Sequence, residues 1–202
     1  MSNLKTEISS WLKEYLEKNK LKCFVVGVSG GVDSATVSTL CAETGVRTIV
    51  VNIPINSKDQ NTELSNLHCD NLVQKYSNVE SLNIDASKAF SAFLGDIPHE
   101  VGSNGLAQAN SKSRLRMMIL YYVATSNAGI VVGTGNKVED FGVGFYTKYG
   151  DGGVDISPIA DLTKTQVREL AKSLMVDNKI ISAPPTDGLW EDSRTDEEQI
   201  GA

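Results

Sequence analysis

Apolar positions along this chain follow two rhythms. Ile8, Trp11, Leu12, Tyr15 and Leu16 recur every three or four residues, which predicts an amphipathic helix laid on a core. Residues 23–28 form an unbroken apolar run ending in Ser29-Gly30-Gly31, the pattern of a buried strand that enters a tight turn. A helix is predicted from Asp33 to about Thr44, stopped by Gly45. Strand-like runs return at 47–53, 79–84 and 130–133, with helical patterns at 64–73 and 106–122 between them. Strands alternating with helices predict an α/β fold, an open parallel sheet with helices on both faces.

Near the end, Thr163-Lys164-Thr165-Gln166 has the form of a capping box, and Val167, Leu170, Ala171 and Leu174 supply the apolar face of a last helix. From Ala183 onward Pro184-Pro185, Gly188 and an acidic run show no period and read as loop. In 202 residues, 41% of them apolar, this predicts one domain spanning 1–202. The balance of 19 basic against 25 acidic residues gives net −6 and argues against nucleic acid as a partner, so an anionic ligand requires local cations. Cys23, Cys41 and Cys69 are odd in number and lack metal-ligand spacing, which fits a reducing cytosol. The first nineteen residues carry neither a signal-peptide core nor a spanning stretch, so a cytoplasmic protein with no membrane partner is expected.

The chemistry is concentrated in Gly27-Val28-Ser29-Gly30-Gly31-Val32-Asp33-Ser34, which sets two adjacent glycines and two hydroxyls between a strand and a helix N-terminus. Glycines allow close approach, the first helical N–H groups point outward, and the helix dipole favours an anion, so phosphate is the natural ligand. No lysine completes a P-loop, and the dinucleotide fingerprint Gly-x-Gly-x-x-Gly is absent. A carboxylate at Asp33 would repel phosphate unless a cation lay between them, which makes Asp33 a ligand for Mg2+ on a polyphosphate. The alternative reading is that Asp33 only caps its helix.

Ser-Gly-Gly-x-Asp-Ser resembles the signature of the N-type ATP pyrophosphatases, with their adenine nucleotide alpha hydrolase-like, Rossmann-like sheet, and implies ATP cleavage between the α- and β-phosphates with adenylation of an acceptor. Three further stretches resemble the ammonia-dependent NAD synthetases: 110–118 with Arg114 and Arg116, 132–139 with Thr134 and Glu139, and the glycine- and aromatic-rich 144–159. The resemblance implies that residues 27–34, Thr134, Lys164 and Thr186 bind ATP. It gives Arg114, Lys148 and Asp155 to deamido-NAD and Asp33 and Glu139 to Mg2+. Asp33, Lys148 and Lys164 become the expected catalytic residues. Ordinary readings stand beside these: a solvated helix end for the arginines, a surface glutamate for Glu139, and a packed loop anchored by Phe145 and Tyr149.

Between Glu139 and Lys148 the chain carries one residue more than some family members. Family members also continue through a further helix and a basic His-Lys segment, which this sequence lacks after Ala202. The pattern begins near residue 20, with no preceding amidase domain, so free ammonia is the expected nitrogen donor. The family implies a homodimer formed through helices, and the run from Met117 to Tyr122 suits either a dimer helix or a deeply buried one. Other readings are a GMP synthetase-like or tRNA-modifying pyrophosphatase, or a non-catalytic adenine-nucleotide-binding protein.

Overall fold

The computed structural model describes residues 2–56 and 60–184. Helix α1 (Ser2–Asn19) leads into β1 (Phe24–Gly27), and α2 (Val32–Glu43) into β2 (Thr48–Asn52). Next come α3 (Gln60–Lys75), β3 (Val79–Asn83), α4 (Ser87–Gly95), a 3-10 turn (His99–Val101) and α5 (Gly105–Ser126). β4 (Ile130–Val131) is followed by a π-helix (Lys137–Val143), α6 (Lys164–Ser173) and α7 (Asn178–Ile181). The strands pair in parallel in the order β3-β2-β1-β4. The chain therefore winds outward from β1 through β2 to β3 and then returns to the opposite side of β1. That reversal opens a crevice beyond the carboxyl ends of β1 and β4, where ligands of open α/β sheets bind.

The unbroken apolar runs of the strands are explained by helices on both faces. Phe24, Val26, Ile130 and Val132 point into one core with Leu12, Leu16, Val37, Leu40, Val167 and Leu170, from α1, α2 and α6. Their chain neighbours Val25 and Val131, with Ile49 and Val51, point the other way onto Phe90 of α4 and Met117, Leu120 and Val123 of α5. The period-two alternation of each strand thus divides the core into two layers. Each fully buried large side chain contributes roughly 1.5–3 kcal/mol. Gly45 stops α2 as expected, with φ +73.

The structure departs from the sequence reading in several places. Helix α4 was not foreseen: its nine residues, Ser87–Gly95, are fewer than the window over which a helical period is read. α7 follows the helix expected to be last; its single turn is too short to show a period. Trp11, read with the packed face of α1, is 43% exposed. The expected loop from Pro185 onward, Thr186 included, lies outside the described residues. No helix among the described residues is long and apolar enough to cross a membrane. Cys23, Cys41 and Cys69 are unpaired and buried, and burial pushes all three thiols up, Cys69 to about 11.

Candidate active site at the strand ends

A cavity of about 490 Å³ occupies the crevice at the β1–β4 reversal. Its walls include Ser29, Gly31, Asp33 and Ser34 from the turn after β1, and Gly133, Thr134, Glu139 and Asp140 from the segment after β4. Ser113 and Arg116 of α5 and Lys164 and Arg168 of α6 complete it.

The turn is held from within. The backbone N–H of Ser29 donates to Ser34 Oγ at 3.2 Å, and that of Gly31 donates to Ser29 Oγ at 3.3 Å. Gly30 takes φ +90, a left-handed conformation in which any side chain would be strained. Gly31 is the N-cap of α2, which leaves the N–H groups of Val32, Asp33 and Ser34 in the first turn without helical carbonyls to bond. Those donors face the cavity with the positive end of the helix dipole. Asp33 is therefore not a cap: it lies inside the first turn, and its carboxylate is bound elsewhere.

Asp33 Oδ2 accepts from Lys164 Nζ at 2.6 Å, and Glu139 Oε1 accepts from the same ammonium at 2.7 Å. Asn136 Nδ2 donates to Asp33 Oδ1 at 3.4 Å. Burial pushes the Asp33 carboxyl up, Lys164 opposes this, and Glu139 reinforces it. Burial works against the Lys164 ammonium, but Asp33 and then Glu139 outweigh it and hold its pKa above the usual value. Two carboxylates from opposite sides of the strand reversal thus converge on one positive charge. Such a pair could hold Mg2+, which takes one or two carboxylates and completes its shell with phosphate and water oxygens; here the Lys164 ammonium lies between them.

Glu139 owes its place to Asn136 and to the π-helix. Fully buried Asn136 caps that helix, its Oδ1 accepting from the N–H groups of Val138 and Glu139 at 3.0 and 3.2 Å. The π-helix, Lys137–Val143, carries Glu139 in its first turn, where Glu139 meets Lys164. Asp140, next along, is half-buried, and its carboxyl is pushed up to about 6 by burial, with Asp151, Glu139 and Asp33 adding to the rise.

The glycine-rich loop is clamped onto α5. Ser113 Oγ donates to Asp151 Oδ1 at 2.7 Å, and Thr147 Oγ1 donates to Asn110 Oδ1 at 2.8 Å. Gly150 packs so closely on Ser113 that a Cβ would overlap its hydroxyl. Tyr149, a packing anchor in the alternative reading of this loop, is 71% exposed. Arg114, Lys148 and Asp155 do not line the cavity. Arg114 Nε donates to the Lys148 carbonyl at 3.0 Å. Asp155 accepts from Tyr121 Oη at 2.9 Å and from the N–H of Val131 at 2.9 Å. Arg114 and Tyr121 are seven residues apart on one face of α5, which also shows exposed Met118. Sequence reasoning assigned no role to Asn136, Asp140 or Arg168. For Asn136 a signal existed, an Asn three residues ahead of a Glu where a helix starts.

A parallel sheet reversing at β1, with a phosphate-type turn at the reversal, is the architecture of a nucleotide-binding α/β protein. Comparison with known proteins narrows this. The model of the NAD synthase family matches residues 4–202, and the chain belongs to that family. It is 40% identical over 199 residues to the NH(3)-dependent NAD(+) synthetase of Carboxydothermus hydrogenoformans, covering 98% of this chain and 80% of that protein. It is 36% identical over 196 residues to the enzyme of the same name from Finegoldia magna, covering 96% and 78%. Among solved structures, the NMN synthetase of Francisella tularensis superposes with a TM-score of 0.90 at 33% identity, covering 100% of this chain and 81% of that one.

Proposed function

We propose that this chain makes NAD by adenylating the carboxylate of deamido-NAD with ATP and then replacing AMP with ammonia. The observation that carries this reading is the convergence of Asp33 and Glu139 on a single cation beside the phosphate turn, in a chain of the NAD synthase family. Asp33 and Glu139 would hold Mg2+, which when bound neutralises the triphosphate. The first-turn N–H groups of α2 bind phosphate oxygens, Thr134 contacts the nucleotide from the β4 side, and Lys164 supplies a positive charge. A carboxylate oxygen of the substrate bonds to the α-phosphorus as pyrophosphate leaves with its electron pair. Ammonia then adds to the acyl carbon, the bond to AMP breaks, and the excess proton passes to solvent. No covalent enzyme intermediate is needed, so catalysis consists of positioning and charge stabilisation.

Arg114, Lys148 and Asp155 hold deamido-NAD on the outer face of α5, with Thr186 among the ATP contacts. A second copy of the chain docks against that face at Met118 and Tyr122, both exposed, to form a homodimer. The reaction belongs to the cytosol. An assay with ATP, Mg2+, ammonia and deamido-NAD tests the reading: AMP, pyrophosphate and NAD should form together, and only when deamido-NAD is present. ATP retained unchanged would leave a nucleotide-binding protein.

A second reading concerns the size of the acid. The likeness to a protein described as an NMN synthetase favours a mononucleotide acceptor, amidated by the same steps. Comparing kcat/KM for the dinucleotide and mononucleotide acids decides between them.

A further inference from the structure

Among the described residues, three cationic side chains line the cavity: Arg116, Lys164 and Arg168. Two of them are committed. Arg116 Nε donates to the Ile53 carbonyl at 3.0 Å, beyond the end of β2. Lys164 is shared between Asp33 and Glu139. The Arg168 side chain makes no hydrogen bond or ion pair with any described residue, although Asp33, Glu139, Asp140 and Asp151 line the same cavity. It is half-buried, so it is not simply a solvated surface arginine.

Its position on α6 gives it a direction. Arg168 lies four residues after Lys164, so the two side chains stand on one face of the helix, one turn apart. Helical side chains lean toward the N-terminus, which turns Arg168 toward Lys164 within the shared cavity. A guanidinium with no side-chain partner among the described residues, beside a phosphate-type helix N-terminus, matches a phosphate group with two parallel hydrogen bonds, a geometry lysine cannot reproduce.

We propose that Arg168 is a second phosphate-binding side chain of this site, holding the β- and γ-phosphates of ATP and then the departing pyrophosphate. The proposal rests on the ATP-cleaving reading above. As the substrate oxygen bonds to the α-phosphorus, the bond from that phosphorus to the α,β-bridging oxygen breaks and its electron pair leaves with pyrophosphate. The guanidinium meets the charge that grows there, so Arg168 touches the leaving group and acts on the first half-reaction alone.

Calorimetry on the full chain tests this, titrating Mg-ATP, Mg-pyrophosphate and AMP into wild type, Arg168→Met and Arg168→Lys. Arg168→Met should weaken ATP and pyrophosphate by about tenfold to a hundredfold, leave AMP unchanged, and melt without ligand at the wild-type temperature. Arg168→Lys should recover part of the loss. If Arg168→Met does not fold, the lysine variant decides by the same contrast between ATP and AMP. Equal losses for AMP and ATP, or pyrophosphate affinity unchanged, overturn the proposal while the function reading stands. A wild-type chain that binds neither ATP nor pyrophosphate overturns both.

Discussion

At the phosphate corner Asp33, Asn136, Glu139 and Lys164 are bound to one another. On the outer face of α5, Arg114 meets a carbonyl, Asp155 meets a tyrosine hydroxyl and a backbone N–H, and Lys148 lies 5.1 Å from the centre of the Tyr149 ring. One region is wired side chain to side chain across three elements; the other is open and tied mostly to backbone. The difference follows from cost. Carboxylates half out of water need a counter-charge at all times, so Lys164 offsets part of their charge before any ligand arrives. Exposed groups such as Arg114 and Lys148 are solvated by water and can wait for a partner. On the proposed function, the preformed corner serves ATP and the open face is completed by its substrate.

The sharpest break in this contrast is Asp33→Asn. The amide leaves α2 intact, since Gly31 and not Asp33 is the cap, but it cannot hold a metal-bound triphosphate. NAD formation should fall about a hundredfold to a thousandfold, while circular dichroism and melting stay near wild type. Retained turnover would mean that the corner is structural. Gly150→Ala comes next, because a methyl there overlaps Ser113 and prises the loop bearing Lys148 from α5. Overpacking of this kind should remove about 2 kcal/mol of stability in urea denaturation. It should also weaken deamido-NAD more than ATP, and an undiminished midpoint would show that the loop is not clamped as described.

A smaller effect separates the two regions by ligand. Arg114→Ala and Lys148→Ala should each raise KM for deamido-NAD by about tenfold, as expected for one exposed charged contact, and leave ATP binding alone. Losses shared equally between the two ligands would merge the regions into one.

These regions were unequally legible in the sequence. The phosphate turn is contiguous, 27–34, and its glycines, serines and carboxylate declare their use within one strand-turn-helix. The pairing of Asp33 with Glu139 and Lys164 spans more than a hundred residues, and only the resemblance, not the local pattern, put them together. Asn136 sat inside a quoted motif without a role, because full burial of an Asn is decided by packing. The strands were readable because burial on both faces leaves continuous apolar runs, whereas α4, of nine residues, and α7, of four, are too short to mark a period. The π-helix after β4 was not legible, since α- and π-turns share their composition.

The smallest effect tests what supports the wired corner. α2, which carries the phosphate turn, rests on α3 through buried Ser38 and His68, with Ser38 Oγ and His68 Nε2 at 2.9 Å. The Ser38 hydroxyl donates to the Ser34 carbonyl at 2.7 Å, so its oxygen accepts and His68 presents a protonated Nε2 in a neutral ring. Burial lowers the His68 pKa to about 4, from an ordinary value of 6.5. Between those values the unfolded chain binds a proton that the folded chain does not, so stability is lost as pH falls through that window and is fully present above it. From pH 7 to about pH 5.5 the loss should be about 1 kcal/mol from this one group. His68→Gln removes the titration, so its urea midpoint should drop less over the same interval. In wild type, hydrogen exchange at the lower pH, corrected for the intrinsic rate, should open α2 more than α5, because the proton is taken up beneath α2. Equal opening of the two helices, or an unaltered slope in the glutamine variant, would place the acid sensitivity elsewhere.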